Sequence, residues 1–375
     1  MTPAVLTELS AAGVSIWLDD LDRTRLDGSR TDGSLTHLIA QRSVSGVTTN
    51  PTIFDRALGS GAIAYREQLA ALAARGASVD EAITQITTDD VRAACDILRP
   101  VWEATGGRDG RVSIEVDPRL AHETQATVQQ ARDLWRIVDR PNALIKIPAT
   151  RAGLPAITET LAHGISVNVT LIFSIDRYRE VMTAHADGIK RAMESGLDPA
   201  TIESVASFFV SRVDTAVDAR LDALGSPDTA QLRGQAAIAN ARVAWQAYVD
   251  HCASDQWQQL HAGGARAQRP LWASTGVKDP AYESTRYVLD LVAPGCVNTM
   301  PEPTLHAVVD DGKFRGDTVS GLAPASEEVL TDLARFGIDI GAICADLEAA
   351  GVQAFIDSWE ALRSTVEQSL ASSSQ

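Results

Sequence analysis

Short runs rich in β-branched and aliphatic residues alternate with stretches of helical periodicity along most of this chain. Runs of this kind are typical of β-strands, and Thr124–Val138 repeats its apolar residues at the spacing of an amphipathic helix. The predicted strands are Ser15–Asp20, Gly46–Asn50, Val112–Asp117, Ala143–Ala149, Ile165–Leu171, Ile202–Ser211, Pro270–Thr275 and Cys296–Pro301. Because strands that alternate with helices pair in parallel through right-handed crossovers, we predict an α/β chain that closes into a (β/α)8 TIM barrel.

The length of the chain leaves room for additions to this barrel. The chain has 375 residues, whereas a minimal barrel needs about 250. Segments 53–107 and 222–268 are longer than ordinary connections and are predicted to form additional helices. We expect one barrel domain over residues 1–375, with its strands between about 15 and 301.

The C-terminal segment, at about 326–370, is also predicted to be helical. Phe355, Trp359 and Leu362 recur there at helical spacing, which gives the segment one apolar face. We therefore expect this segment to pack across the barrel. The last residues, Ala371–Gln375, are expected to be disordered.

The net charge argues against several kinds of partner. The formal charge is −16 and the isoelectric point is near 4.8, which opposes binding to nucleic acid or to anionic membranes. Met1–Val14 lacks the pattern of a secretory signal, and the chain has no apolar run long enough to span a membrane. The four cysteines form no C-x-x-C pair. We expect a cytoplasmic protein, in which an anionic substrate would need a local cluster of cations.

Lys146 lies inside the strand-like run Ala143–Ala149, between two isoleucines. As a strand residue it must point into the barrel or toward the helices, and either direction buries part of its amine. Desolvation lowers the pKa of a lysine and makes it a nucleophile that can condense with a carbonyl. A lysine that extends to solvent and forms an ordinary ion pair is the alternative.

Two other strands supply carboxylates near the same end of the predicted barrel. The first ends in Asp19 and Asp20, and the third carries Glu115 between two aliphatic residues. The C-terminal ends of barrel strands form the active face, so these acids can converge with Lys146 as general acid–base groups. Buried salt bridges are the alternative. A register shift of one residue would exchange Asp19 and Asp20.

Uncharged polar residues mark the second and fifth strands. Thr48–Asn50 end the second strand, and strand alternation places Asn168 and Thr170 on one face of the fifth. Their amides and hydroxyls are suited to bind substrate hydroxyls or an ordered water. Each of these motifs taken singly is weak, because Asn-Pro is also a common turn starter.

A phosphate-binding cluster is predicted at the later strands. Ser207 and Arg212 belong to the sixth strand and its continuation, and Ser274–Lys278 follows the seventh. TIM barrels often bind phosphate at this position with backbone N–H groups and a cation. The sequence has no H-E-x-x-H, no G-x-G-x-x-G after a strand and no G-x-S-x-G. We therefore predict neither a metal site nor a cofactor.

Five motifs, in this order and spacing, resemble the transaldolase family, and the resemblance covers roughly residues 15–310. They are TTNPTIF (48–54), VSIEVDPRLA (112–121), LIKIPAT (144–150), NVTLIFS (168–174) and SFFVSRVD (207–214). Two later segments, WASTGVKDPAY (272–282) and CVNTMPEPTL (296–305), are similar to a longer branch of the family that occurs in actinobacteria and cyanobacteria. An ordered set of motifs is far more specific than any one of them.

The resemblance implies a catalytic role for four residues. Lys146 would form a Schiff base with the ketose carbonyl, and Asp19, with Asp20 as the alternative, would transfer the proton of a substrate hydroxyl. Glu115 and Thr170 would hold a catalytic water.

The resemblance also implies the substrate-binding residues. Asn50 and Asn168 would bind the dihydroxyacetone unit, and Ser207 and Arg212 match substrate-binding and phosphate-binding positions. The arginine expected after the seventh strand has no clear equivalent in this chain, and Lys278 is the substitute that we predict.

The function implied is that of a transaldolase of the non-oxidative pentose phosphate pathway, with sugar phosphates as substrates. It would transfer dihydroxyacetone from sedoheptulose 7-phosphate to glyceraldehyde 3-phosphate, giving erythrose 4-phosphate and fructose 6-phosphate. Related fructose-6-phosphate aldolases carry Gln and Tyr where this chain has Glu115 and Phe209, which favours transfer. A noncatalytic phosphosugar-binding protein is the other alternative, and a monomer and a homodimer both remain open.

Overall fold

The computed structural model describes residues 2–60 and 62–373, and its centre is a closed barrel of parallel strands. Each strand pairs with the next along the chain, and the last pairs with the first. The prediction of a (β/α)8 TIM barrel is therefore confirmed. The strands are β1 (Ser15–Leu18), β2 (Val44–Val47), β3 (Arg111–Glu115), β4 (Ala143–Pro148), β5 (Val167–Ile172), β6 (Ser204–Phe209), β7 (Arg269–Ala273) and β8 (Val297–Met300).

Each predicted strand overlaps one observed strand, but the ends differ. The second begins at Val44, earlier than predicted, directly after Ser43 has ended a helix in the left-handed conformation with φ 54°. The sixth is shorter than Ile202–Ser211 because a 3-10 helix occupies Pro199–Thr201 and a new helix starts at Ser211. Local chain reversals of this kind leave a weaker sequence signal than a buried strand does.

Helices surround the barrel and account for the two long segments. Segment 53–107 contains most of α4 and all of α5 and α6, and segment 222–268 contains α11 and α12. Within the described residues the helices are α1 (Ala4–Ala11), α2 (Arg23–Leu26), α3 (Leu35–Arg42), α4 (Pro51–Ser60), α5 (Ala62–Ala74), α6 (Val79–Ala104), α7 (Thr124–Val138), α8 (Gly153–Ala162), α9 (Ile175–Glu194), α10 (Ser211–Leu224), α11 (Ala236–Ala253), α12 (Asp255–Ala262), α13 (Arg286–Leu289), α14 (Glu302–Asp311), α15 (Ala323–Arg335) and α16 (Ile340–Ser373). The 3-10 helices there are Pro118–Leu120, Pro199–Thr201 and Pro227–Leu232. None of the helices formed by residues 2–60 and 62–373 combines the length and apolar character that a membrane span needs.

Local sequence explains several helix ends. α6 begins with a reciprocal cap, in which the Ser78 hydroxyl accepts from the Glu81 N–H and the Glu81 carboxylate accepts from the Ser78 N–H. α7 has the bounds predicted from its periodicity, and Asp139, the residue that follows it, adopts the left-handed conformation that commonly ends a helix.

The N-terminal end of the barrel is filled by large side chains and a polar network. Trp17 is fully buried, and its indole occupies the space beside Gly46, where an added Cβ would lie 2.5 Å from the ring. Its Nε1 donates to Asp109 at 3.0 Å, and Arg269 donates to the same carboxylate at 3.0 Å. This end of the barrel is thereby closed, and the opposite end is left for chemistry.

The C-terminal helix α16 packs across the barrel, as predicted, and contacts α4, α5 and α6. Leu362 and Val366 are completely buried in that contact. We expected disorder from Ala371 onward, and this expectation is wrong for Ala371–Ser373, which continue α16. The helix extends this far because it still buries Leu370. Ser374 and Gln375 lie outside the described residues.

Candidate active site

A cavity of about 280 Å3 opens at the C-terminal ends of the strands. Six of the predicted site residues line it: Asp19, Asn50, Lys146, Ser207, Arg212 and Lys278. They come from β4, β6 and the segments that follow β1, β2, β6 and β7. The other three, Glu115, Asn168 and Thr170, lie buried on β3 and β5 beside Lys146. The barrel thus collects the predicted residues at one end.

Lys146 points into the barrel and is almost completely buried, with 4% of the residue exposed. Its Nζ donates to the carbonyl oxygen of Thr49 at 3.1 Å and lies 3.4 Å from Glu115 Oε2. Glu115 and Lys146 are directly paired residues of β3 and β4. The amine therefore lies beside one carboxylate and close to the cavity, where it can reach a carbonyl carbon.

Burial raises the pKa of Glu115 to about 7, although the positive charge of Lys146 acts in the opposite direction. Among the described residues, neither Glu115 Oε2 nor the hydroxyl of Thr170 has a hydrogen-bond partner. A buried carboxyl with a pKa near neutrality can both donate and accept a proton at physiological pH. Glu115 therefore has the properties of a proton shuttle for the adjacent amine.

The two aspartates after β1 have different surroundings. Asp19 lines the cavity and accepts from the Thr48 hydroxyl at 2.7 Å. Burial raises its pKa, and the charge of Lys146 partly offsets this effect. Asp20 instead pairs with Arg25 at 2.5 Å, and Arg25 also binds Glu302 at 2.7 Å. Asp19, rather than Asp20, thus faces the cavity with a carboxylate suited to accept a proton.

A chain of hydroxyl groups orients the Asp19 carboxylate. Thr48 Oγ1 lies 2.6 Å from Thr299 Oγ1. Because the Thr48 proton is directed at the acceptor Asp19, Thr299 must be the donor in this second contact. Both threonines line the cavity, and sequence reasoning did not assign Thr299, whose only signal was its place near the end of β8.

Asn168 is held by hydroxyl groups on both sides. Its Nδ2 donates to Ser113 at 3.0 Å, and its Oδ1 accepts from Ser207 at 2.7 Å. Ser207 lines the cavity, whereas Asn168 lies completely buried behind it. Asn50 lines the cavity from the start of α4, where its Oδ1 accepts from the Ile53 N–H at 3.1 Å. The fixed amide and hydroxyl groups match the needs of a polyhydroxylated substrate.

The cavity is positively charged although the chain is acidic. Its charged lining residues are Asp19 and four cations: Arg56, Lys146, Arg212 and Lys278. Arg212 is half-buried, and its guanidinium lies 5.6 Å from the ring centre of Phe209. Burial lowers the pKa of Arg212, and Asp19 acts in the opposite direction. These side chains form the local cation cluster that an anionic substrate requires.

Sequence reasoning did not assign two further residues of the cavity. Arg56 lies in the second turn of α4, in a stretch with no strand-end signal. Phe355 was noted only as part of an apolar helix face, yet it lines the cavity, and the centre of its ring lies 5.5 Å from Lys146 Nζ. Both come from helices, so the search for polar residues at strand ends could not find them.

Comparison with known proteins gives one consistent result. The family model for transaldolase and fructose-6-phosphate aldolase matches residues 16–366. A transaldolase of Mycolicibacterium smegmatis is 58% identical over 95% of this chain and 95% of its own length. Transaldolase 1 of Streptomyces avermitilis is 58% identical over 97% of this chain and 95% of its own length. A transaldolase of Mycobacterium tuberculosis is 59% identical over 95% of each chain.

Proposed function

Because the chain belongs to the transaldolase and fructose-6-phosphate aldolase family, we propose that it is a transaldolase of the non-oxidative pentose phosphate pathway. It transfers a dihydroxyacetone unit from sedoheptulose 7-phosphate to glyceraldehyde 3-phosphate and releases erythrose 4-phosphate and fructose 6-phosphate. The observation that carries this proposal is the buried Lys146 amine, 3.4 Å from the Glu115 carboxylate and in the same cavity as Asp19.

The first step forms a Schiff base on Lys146. The neutral amine adds to the ketose carbonyl, and loss of water from the adduct gives an iminium ion. Glu115 is adjacent to Nζ and has a pKa of about 7, so it can take the amine proton and later give a proton to the departing hydroxyl. A water held between Glu115 and the Thr170 hydroxyl would relay these protons, since both groups have hydrogen-bonding capacity to spare within the described residues.

The second step breaks a carbon–carbon bond. Asp19 takes the proton of the C4 hydroxyl, the C3–C4 bonding electrons move into the iminium, and the aldehyde leaves. The carboxylate is oriented for this task by the Thr48 hydroxyl at 2.7 Å. The remaining three-carbon unit is an enamine on Lys146, and it attacks the acceptor aldehyde by the reverse of the same steps.

The remaining residues bind the substrate. The hydroxyl groups of the dihydroxyacetone unit would be bound by Asn50 and by Ser207, which is held by the Asn168 amide. Arg212 and Lys278, which both line the cavity, would bind the phosphate, and Arg212 is the stronger contributor because it is half-buried while Lys278 is exposed.

We propose that this protein works as one barrel domain in the cytoplasm. The proposal for one domain is supported by the origin of the nine predicted site residues, which all belong to the strands of a single closed barrel and the segments that follow them. The four cysteines, all within the described residues, are free thiols, which suits a reducing compartment.

The family also contains aldolases, which would release dihydroxyacetone to water. The experiment that separates the two activities supplies sedoheptulose 7-phosphate with and without glyceraldehyde 3-phosphate and follows erythrose 4-phosphate and free dihydroxyacetone. A transaldolase turns over steadily only when the acceptor is present. Sustained release of dihydroxyacetone without acceptor, at a rate comparable to transfer, would instead assign the aldolase function.

A further inference from the structure

Two aromatic residues line the cavity, Phe209 from β6 and Phe355 from the C-terminal helix. Phe355 of α16 is 5% exposed, and its ring centre lies 5.5 Å from Lys146 Nζ. An aromatic ring beside an amine excludes water from that side and favours a cation there through its π electrons. The ring is therefore in contact range of the atom that would carry the Schiff base.

The position of Phe355 is fixed by contacts along α16. Gly351, one turn earlier, lies so close to β5 that an added Cβ would be 3.0 Å from the Leu171 side chain. Ser358 and Thr52 share a hydroxyl hydrogen bond of 2.8 Å between α16 and α4, and Thr365 donates to Asp55 at 3.1 Å. These contacts hold the helix against the mouth of the barrel.

The next turn of α16 continues the apolar cover. Trp359 follows Phe355 by four residues and therefore lies on the same face of the helix. It lines a small cavity of about 20 Å3 together with Glu115. One helix face thus covers both members of the pair formed by Lys146 and Glu115.

We propose that Phe355 is a specificity-determining residue, which keeps water from the three-carbon intermediate on Lys146 and so favours transfer over release of dihydroxyacetone. The inference rests on the proposed function, because it concerns the fate of the enamine that a transaldolase retains. The barrel strands position the reacting groups, whereas α16 controls the access of water to them.

The reaction that Phe355 suppresses consumes one water, and the proton that is taken up in its first step is released again when water adds to the iminium ion. A proton adds to the nucleophilic carbon of the enamine and regenerates the iminium ion. Water then adds to the iminium carbon, the carbon–nitrogen bond breaks, and dihydroxyacetone leaves with Lys146 restored as the free amine. Water that reaches the enamine past α16 would serve both steps, so removing the ring should accelerate this branch in preference to transfer.

The test measures a ratio in variants of the full-length enzyme. Phe355→Ala opens the wall, Phe355→Leu keeps an apolar cover, and Ile356→Ala shortens a half-buried neighbour on α16 that does not line the cavity. Dihydroxyacetone release from sedoheptulose 7-phosphate alone is divided by transfer to saturating glyceraldehyde 3-phosphate. Because both rates come from the same folded molecules, the ratio does not depend on the folded fraction. Phe355→Val removes less volume and is used if the alanine variant does not fold.

The expected result is a rise of the ratio by about tenfold in Phe355→Ala, which is a modest difference in barrier height. Phe355→Leu and Ile356→Ala should stay near the wild-type ratio. A ratio in Phe355→Ala within about twofold of wild type overturns the proposal. A wild-type enzyme that shows no transfer at all contradicts the proposed function instead, so the two failures are distinct.

Discussion

The two ends of the barrel both bury charged side chains, but these side chains have more hydrogen-bond partners at the N-terminal end than at the C-terminal end. At the N-terminal end, Arg269 donates to the Ser15 hydroxyl at 2.9 Å, to the Arg108 carbonyl at 2.8 Å and to Asp109 at 3.0 Å. At the C-terminal end, Lys146 has a single carbonyl acceptor and a carboxylate at 3.4 Å.

The difference separates stability from chemistry. Several hydrogen bonds offset the cost of burying the Arg269 charge, so that the loss of one of its partners would destabilise the closed end of the barrel. Burial raises the pKa values of Glu115 and Asp19, and Glu115 Oε2 has no hydrogen-bond partner among the described residues. Groups with these properties are typical of functional sites. Changes at the C-terminal end should therefore alter activity, and changes at the N-terminal end should alter stability.

The largest effect is expected from Asp19→Asn. An amide cannot take the C4 hydroxyl proton, so kcat for transfer should fall by about 10²–10⁴-fold while the protein stays folded. Asp20→Asn is the matched control, because Asp20 pairs with Arg25 outside the cavity. It should keep most of the activity and lose some stability. Equal losses of kcat in the two variants would contradict the assignment of the base.

Asp109→Asn is the corresponding change at the N-terminal end. It leaves the Arg269 guanidinium, 1% exposed, without its closest carboxylate. We expect the free energy of unfolding to fall by about 3 kcal/mol, measured by urea denaturation, with little change in kcat per folded molecule. A large loss of kcat without a loss of stability would show that the N-terminal end contributes to activity, which contradicts the division between the two ends.

Glu115→Gln should reveal its raised pKa through stability. Between its ordinary pKa of 4.5 and the folded value of about 7, the folded protein keeps a proton that the unfolded chain has lost. The wild type therefore loses stability as the pH rises through this window, whereas glutamine does not titrate.

The stability of Glu115→Gln relative to wild type should thus increase from pH 5 to pH 8, by at most about 3 kcal/mol. Denaturation at both pH values measures this change. The same difference at both values would mean that Glu115 has no raised pKa.

The smallest effects are expected at the phosphate end. Arg212→Gln should raise KM for sedoheptulose 7-phosphate by about tenfold or more, the value of one charge-assisted hydrogen bond. Lys278→Gln should raise it only a few-fold, because this lysine is exposed. Steady-state kinetics of both variants rank the two cations, and a larger effect at Lys278 would reverse the ranking.

The strand pattern and five local motifs were sufficient to predict the barrel and most of the residues that it brings together in the candidate site. Strand residues such as Lys146 and Glu115 are readable because alternation and burial leave only two directions for a side chain. Asp19 and Asp20 could not be separated from sequence, since the choice depends on the contact between Asp20 and Arg25 in α2.

Residues contributed by helices were harder to predict. Arg56 and Phe355 reach the cavity through the packing of α4 and α16, which depends on contacts far apart in the chain, such as Thr52 with Ser358. Helical periodicity identified an apolar face at Phe355 but not the element that this face would cover.

The central claim is that Lys146 carries the covalent intermediate, and reductive trapping tests it most directly. The enzyme is incubated with fructose 6-phosphate and borohydride, and the modified residue is located by peptide mass spectrometry. The chain has four lysines, Lys146, Lys190, Lys278 and Lys313, and Lys278 serves as an internal control because it lines the same cavity. We predict a reduced three-carbon adduct on Lys146, absent in Lys146→Met. Transfer without any adduct, or an adduct on a different lysine, would contradict the claim.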